Sequence, residues 1–529
     1  MEEARPSASS GGPEAALSPT FRRNFFLGVL NGIFFNVSSG LISSTLVLPG
    51  LVQALGGGDV LVGLLPALEQ GGWLLPQLLV GARIQDRPRK LPLYRVTAVL
   101  RGAFFGAMAA AVALAHLVSP AAALALFILF YGLYSISAGL AGIPFQEVVA
   151  KTIPPQRRGT FFGLREFGGG LLTLLLVSPL LRMLLQEDSP CPFPQNYALL
   201  FGLALVGALL GLITFSLLVE PHSPRVGRSG TLVEQLRRLP ALWREHPPLR
   251  RFLAYRVLAR LGLVAEPFYI VYAGQALHVP AGFIGDYMAA ITAVRLASYL
   301  VWSRLSDRRG NRLLLRWGAG LLTLTPVLAL LLPFLGEVLA LPLPARTYLF
   351  ALVFALSGLG NAAQGIGIGS YVLELLPEPE RPAGLGLVNT IAGLLSLLTI
   401  LGGGLAAALG YEVLFLAATA LALGSFLISW VLVEPRRPTS TLRNEPPARR
   451  GPGSAGARGL PDPAPSPGEF PPRGRPDTTR AHRPRDVDGP GVARPVPPHI
   501  PAKWRSVRPA CAARPTRSGR RTRWSPAPA

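Results

Sequence analysis

The stretch Ser303–Arg312, SRLSDRRGNR, places one aspartate among several arginines directly after the apolar run VRLASYLVW. A related stretch, ARIQDR, occupies residues 82–87 and also follows a long apolar run. Asp307 lies 221 positions after Asp86, so the same short text recurs almost half a chain later. The recurrence indicates an internal duplication, and the basic residues that end both apolar runs are typical of membrane proteins.

Twelve apolar segments have the length of membrane-spanning helices. The chain of 529 residues is 50% hydrophobic and only 15% charged, and a spanning helix needs about 20 mostly apolar residues. Leu, Ala and Gly dominate without alternation, which argues against strands and predicts an all-α integral membrane protein. The predicted segments are 25–48, 60–80, 96–118, 121–143, 162–185, 198–219, 252–273, 283–302, 314–334, 348–372, 384–407 and 411–433.

Basic residues are distributed unevenly among the loops. Those after predicted segments 2, 4, 6 and 8 are rich in Arg, whereas those after segments 1, 3 and 7 contain no Lys or Arg. Because basic residues accumulate on the cytoplasmic side, both termini are predicted to be cytoplasmic in a multi-pass protein of the cell membrane. Residues 1–20 lack the pattern of a cleaved signal peptide.

Composition and motifs exclude several function classes. The formal net charge is +23, but roughly +14 of it lies in the Pro- and Arg-rich tail, so it does not indicate specific nucleic-acid binding by the body. The sequence has no HExxH, no phosphate-binding loop and no C-x-x-C, and its histidines lack metal-ligand spacing. We therefore expect no enzyme activity, no cofactor and no metal site.

Two more echoes support the duplication. Residues 154–164 resemble 377–387, and residues 217–225 resemble 431–439. Each pair follows the same segment of its half, which predicts two tandem six-helix halves. The predicted units are a disordered N-terminus at 1–20, halves at 21–221 and 252–435, a linker at 222–251 with a possible surface helix, and a disordered basic tail at 436–529.

Two six-helix halves with a basic G-x-x-x-D-R-x-G-x-R-type loop after helices 2 and 8 resemble the major facilitator superfamily over about residues 21–435. The second loop carries Ser303 in place of the leading glycine. The matching positions are Asp86 and Arg87 in the first loop, which lacks the later glycine, and Asp307, Arg308, Gly310 and Arg312 in the second. The resemblance implies a monomeric transporter of small molecules that works by alternating access in the lipid bilayer.

The resemblance also implies a role for the two loop aspartates. Asp86 would face the start of span 11 near residues 383–384, and Asp307 the start of span 5 near residues 161–162. A carboxylate near a helix start accepts hydrogen bonds from the free N–H groups there and interacts favourably with the helix dipole. Such a contact stabilises the arrangement by about 0.3–2 kcal/mol. These contacts, which we call the cytoplasmic latch, would hold the cytoplasmic mouth shut. Alternatively, the basic loops fix topology only.

Ionisable side chains inside the predicted spans are candidates for binding substrate or protons. Glu69 and Arg260 lie near the midplane, about 13 Å from the nearer end of their spans, and Glu266 lies further outward, six residues from Arg260 and on another face. Glu69 or Glu266 would take up a proton while Arg260 attracts an anionic group; alternatively, these charges pair with each other. Arg295 and the pair Arg165–Glu166 are expected nearer the cytoplasm, as gate salt bridges.

In the resembled family, helices 1, 4, 7 and 10 line the central cavity. On those helices the polar candidates for substrate contact are Asn31, Tyr134, Asn361 and Gln364, although tyrosines at such positions also serve ordinary helix packing. Span 5 lacks the Gly-Pro motif of drug–proton antiporters. The sequence thus predicts a secondary active transporter of a small organic solute, driven by a proton or solute gradient. The alternatives are a proton-coupled exporter of lipophilic compounds and a non-transporting scaffold or sensor.

Overall fold

The computed structural model describes residues 18–84, 87–222, 246–376 and 381–435, and this part of the chain is helical without strands. Residues 1–17 of the predicted N-terminus (1–20), Asp86, most of the linker and the tail lie outside these residues. Eleven helical segments of the described part are long and apolar enough to cross a membrane, and the 26-residue helix Asp59–Ile84 takes the remaining place in the bundle. The predicted twelve-helix fold is confirmed.

We number the helices by span and divide a broken span into a and b. The first half contains α1a (Pro19–Leu41), α1b (Leu48–Ala54), α2 (Asp59–Ile84), α3 (Leu91–Ala113), α4 (Pro120–Thr152), α5a (Pro155–Leu172), α5b (Ser178–Leu185) and α6 (Gln195–Ser216). The second contains α7a (Pro247–Gly262), α7b (Phe268–Ala276), α8 (Phe283–Arg309), α9 (Asn311–Val338), α10 (Leu343–Leu375), α11a (Arg381–Ser396), α11b (Thr399–Leu409) and α12 (Tyr411–Ser429).

Helix starts follow the local sequence. The hydroxyl of Ser18 accepts a hydrogen bond from the N–H of Phe21, and that of Ser119 accepts one from the N–H of Ala122. Each serine is followed by a proline at the first helical position. A Ser cap satisfies a free N–H, and Pro loses no hydrogen bond at that position. Helix α8 ends at Gly310, whose φ of +89° is a backbone conformation that glycine adopts without steric cost.

The four broken spans form two symmetry-related pairs, because α7 is the repeat counterpart of α1 and α11 that of α5. Spans 1 and 7 break at residues 42–47 and 263–267, and span 11 breaks at 397–398. Span 5 instead passes through five residues of π-helix at 173–177. Irregular backbone at membrane depth is tolerated where it is buried in protein or lines a cavity, so these breaks point to the interior site.

We call the face that carries the α1–α2 loop the outer face, following the predicted orientation. The two halves meet there closely. Arg182 of α5b forms an ion pair with Asp286 of α8 at 2.7 Å. The hydroxyl of Tyr411 donates to the carboxylate of Asp59, with its oxygen 2.9 and 3.0 Å from the two carboxylate oxygens. Gly403 of α11b packs directly on the backbone of α2, so the outer side is closed.

Candidate functional site

The breaks in three spans surround one cavity of about 220 Å³ between the halves, which we call the central chamber. Its polar wall comes from the break in span 1 (residues 43–45), from Glu69 and Gln70 on α2, and from Arg260 just before the break in span 7. Glu266, within that break, also lines it. Where the helices are interrupted, polar side chains can reach a space that regular packing would fill.

Glu69 faces this chamber from α2. It lies deep in the bundle, yet more than a third of its surface is exposed to the cavity. The hydroxyl of Ser44, in the break of span 1, donates to its carboxylate. This neutral partner orients the carboxylate and leaves its charge facing the chamber.

Glu266 lines both the central chamber and a second one of about 250 Å³, whose wall comes from the C-terminal half and from Thr45 of span 1. Its Oε1 accepts hydrogen bonds from Asn361 Nδ2 at 2.5 Å and from Ser357 Oγ at 2.9 Å. Arg295 lines this second chamber. Asn361 therefore lines the second chamber and holds a carboxylate in place, and its predicted contact with substrate stays a prediction.

Two expectations about these charges are corrected. A continuous helix would point Glu266 and Arg260 in different directions, but both line the same chamber. The break at 263–267 turns the Glu266 side chain toward it. Arg295 was expected near the cytoplasm, but α8 continues to Arg309, so this residue lies close to the middle of its helix and faces a chamber.

The chamber charges are not paired with one another. In the described part of the chain the ion pairs are Lys151–Glu220 and Arg182–Asp286, and neither includes a chamber residue. Arg260 nonetheless lies within the electrostatic influence of both Glu266 and Glu69. The alternative that these side chains tie the helices together as ion pairs is not observed.

A third cavity of about 220 Å³ lies within the N-terminal half and shares Ser39 with the central chamber. Asn31 lines it and is fixed twice: its Nδ2 donates to the carbonyl of Gly211 at 2.7 Å, and its Oδ1 accepts from Arg165 Nη1 at 2.9 Å. Arg165 also donates to the carbonyl of Gly28 at 2.5 Å. It makes no ion pair with Glu166, which is exposed, so the expected gate salt bridge is corrected.

Arg101 of α3 also lines this cavity, and the sequence analysis overlooked it. It is a single arginine inside the apolar text VTAVLRGAFFG. An ionisable residue in a span is a candidate functional residue by default, and that signal was available. It was passed over because helix 3 is not among the cavity-lining helices of the resembled family.

Tyr134 and Gln364 serve helix packing in the structure. The Tyr134 hydroxyl accepts from Arg101 Nη2 at 2.9 Å, and the ring is buried in the core. Gln364 is buried and its Oε1 accepts from the Tyr255 hydroxyl at 2.7 Å, which joins α10 to α7a. Neither lines the three cavities described above.

The basic loop after α8 is fastened within its own half. Arg312 donates from Nη2 to the carbonyl of Trp430 at 2.6 Å and from its backbone to Glu434 at 3.3 Å. Gly310 packs against the same glutamate. Asp307 and Arg308 are exposed, as is Arg87 in the first loop. Asp86 is outside the described residues, so the cytoplasmic latch stays a prediction.

Comparisons with known proteins agree on the fold. A family model described as Major Facilitator Superfamily matches residues 264–508. A D-xylose–proton symporter superposes with a TM-score of 0.60 at 15% identity, covering 79% of this chain and 99% of the symporter. The nucleoside transporter NupG gives 0.56 at 14%, covering 78% and 100%. The human organic anion transporter TETRAN gives 0.52 at 16%, again covering 78% and 100%. Among curated proteins, none matches this sequence.

Proposed function

We propose that this chain is a transporter of the major facilitator superfamily, whose family model matches residues 264–508, and that it moves a small organic solute across the membrane by alternating access, driven by a proton or solute gradient. The solute binds in the central chamber between Glu69, Arg260 and Glu266. Both termini face the cytoplasm, and the halves rock about this chamber so that it opens to one side at a time.

One observation carries the proposal, namely that three charged side chains border the chamber without forming an ion pair. An unpaired charge inside a membrane protein is costly and marks a substrate or ion pathway. Glu69 and Glu266 are held by neutral donors instead, which keeps them apart from Arg260. A bound solute with an anionic group would complete the pairing by contacting Arg260.

The carboxylates supply a route for coupling to protons. Whichever of Glu69 and Glu266 takes up a proton loses its attraction for Arg260, and the guanidinium then becomes free to bind the solute's anion. The proton removes a carboxylate charge that competes with the solute's anion for Arg260. The bound anion in turn shields the arginine charge that opposes proton uptake, so proton and solute would favour each other's binding.

Two structural relatives are named for the small molecules that they carry. One is a symporter of D-xylose with protons and another is an organic anion transporter. At 15% and 16% identity these relatives support the fold alone, so the choice of cargo rests on this chain's own residues.

The test begins with a thermal-shift screen of the purified protein against small carboxylates, organic phosphates and their uncharged analogues. The best stabiliser is then followed as a flux into proteoliposomes, with and without an imposed pH gradient. We expect Arg260→Ala to abolish both the stabilisation and the flux, and Glu69→Gln or Glu266→Gln to make the flux insensitive to the pH gradient.

Arg316→Ala is the matched control, because Arg316 stacks on Trp430 at 3.7 Å and lines none of the three cavities. Equal losses in Arg260→Ala and Arg316→Ala would contradict the proposed site. Solute binding without any flux in wild-type liposomes would contradict transport and favour a sensor of the same fold.

A further inference from the structure

The cavity of the N-terminal half, which we call the arginine pocket, is built by one bundle only. Its lining comes from α1a to α5a: Asn31, Phe35, Ser39, Trp73, Tyr94, Arg101, Ala141, Phe145 and Arg165. Arg101 and Arg165 each lie ten residues beyond the first residue of their helix. At the helical rise this distance is about 15 Å. Two guanidinium groups therefore reach the same depth from the same membrane face.

Among the described residues that line this pocket, none has an acidic side chain. Glu166, which acts electrostatically on Arg165, is exposed and does not line the pocket. Two positive charges that line one pocket inside the bilayer without a carboxylate among its described lining residues are unfavourable. An anionic ligand would balance these charges.

The guanidinium groups also keep unused donors. Each offers about five N–H bonds, and in the described part of the chain Arg101 uses one on Tyr134 and Arg165 uses two on Gly28 and Asn31. Arg101 Nε is buried without any hydrogen-bond partner. An unmade hydrogen bond of a buried charged group is costly, so the pocket has donors ready for an acceptor.

Aromatic rings form much of the remaining wall. The guanidinium carbon of Arg101 lies 4.5 Å from the ring centroid of Phe35. The guanidinium carbon of Arg165 lies 5.1 Å from the ring centroid of Phe145. Trp73 and Tyr94 complete the lining. These rings fix the guanidinium planes and offer an apolar surface to the body of a ligand.

We infer that the arginine pocket binds the anionic group of an aromatic or apolar organic anion, such as a carboxylate, sulfonate or phosphate. Ser39 lies in the wall of both this pocket and the central chamber, so the two cavities adjoin at this side chain. The inference deepens the proposed transport function and rests on it for the claim that this anion is cargo. Binding in the pocket is testable without transport.

The experiment uses the purified full chain and the fluorescence of Trp73. The probe is 4-nitrobenzoate, a quenching aromatic anion, and its control is 4-nitrobenzyl alcohol, an uncharged molecule of similar size. We expect the anion to give a saturable quenching component that Trp73→Phe removes, and the alcohol to give none. Arg101→Gln and Arg165→Gln should weaken the apparent affinity at least about tenfold, the loss of a charge-assisted hydrogen bond.

Two further variants separate the outcomes. Arg316→Gln removes a guanidinium far from the pocket and should keep wild-type affinity, and Arg101→Lys should retain part of the binding if Arg101→Gln misfolds. Arg260→Ala should lose flux but keep the Trp73 signal. Three results would each overturn the arginine pocket as a binding site. They are a lack of saturable quenching, equal effects of Arg101→Gln and Arg316→Gln, and loss of the Trp73 signal in Arg260→Ala. Flux abolished by Arg260→Ala would still support the central chamber in those cases.

Discussion

Glu220 and Glu434 occupy equivalent places in the two halves, since each carboxylate accepts a backbone N–H at the start of the third helix of its half. Glu220 accepts from Lys90 at 2.9 and 2.8 Å and from Leu91 at 2.7 Å, and Glu434 accepts from Arg312 at 3.3 Å. The two glutamates lie 214 positions apart, at the same place in the echoed segments 217–225 and 431–439. The duplicated text therefore encodes a duplicated helix cap.

Glu220→Gln should destabilise the N-terminal half. The carboxylate is almost fully buried and pairs with Lys151 Nζ at 2.8 Å, so its neutral analogue leaves a largely buried ammonium without a counter-charge. Hydrogen bonds to charged groups contribute about 1.5–3 kcal/mol. A lowered thermal unfolding midpoint in detergent would be the expected result. Glu187→Gln, a change at an exposed outer glutamate, is the control, and equal midpoints for the two variants would contradict the cap.

Stability should also depend on pH through Glu220. Burial alone would raise its pKa, but hydrogen bonds from Lys151 and from the Leu91 and Lys90 amides outweigh burial and hold the pKa below its ordinary value of 4.5. Because the folded-state pKa is the lower one, the stabilisation is complete above pH 4.5 and is lost as pH falls through the folded-state pKa. The difference in midpoint between wild type and Glu220→Gln should therefore shrink in that acidic range; a difference that stays constant would refute this.

Gly403→Val should prevent closure of the outer side. A side chain at residue 403 would overlap the backbone carbonyl of Asp59 on α2, whereas the neighbouring Gly404 has open space around it. We expect Gly403→Val to reduce flux strongly and Gly404→Val to leave it nearly unchanged. The reporter is Thr45→Cys in a Cys191→Ser background, labelled with an impermeant thiol reagent added outside. It should react faster in Gly403→Val than in Gly404→Val. Equal reactivity in the two valine variants would argue against this closure.

Asp307→Asn should leave membrane insertion intact and shift the population toward the form open to the cytoplasm. A carboxylate at a helix start contributes about 0.3–1 kcal/mol at an exposed site, which corresponds to about a two- to fivefold change in population. The measurement is labelling of Thr45→Cys, in a Cys191→Ser and Cys511→Ser background, from the cytoplasmic side of inside-out vesicles. Glu147→Gln, at another exposed acid, is the control. Unchanged labelling in Asp307→Asn would count against the cytoplasmic latch.

The sequence predicted the helices well and their interruptions poorly. Predicted and observed ends of α8 agree at residue 283 but differ at the other end, where the helix continues to Arg309. Apolar length cannot register a basic helical turn that extends beyond the membrane core. The break at 263–267 was missed because Leu263, Val264 and Ala265 continue the apolar run of the segment.

By itself the sequence determined the number of spans and the duplication, because apolar length and repeated text are read locally along the chain. The charge of the loops predicts the direction of the spans in the same local way. Only the tertiary structure decided which charges meet. The breaks brought Glu266 and Arg260 to one chamber, and packing of five helices joined Arg101 to Arg165 in one pocket. Such encounters depend on where helices bend and cross, which is set by contacts between residues far apart in the chain.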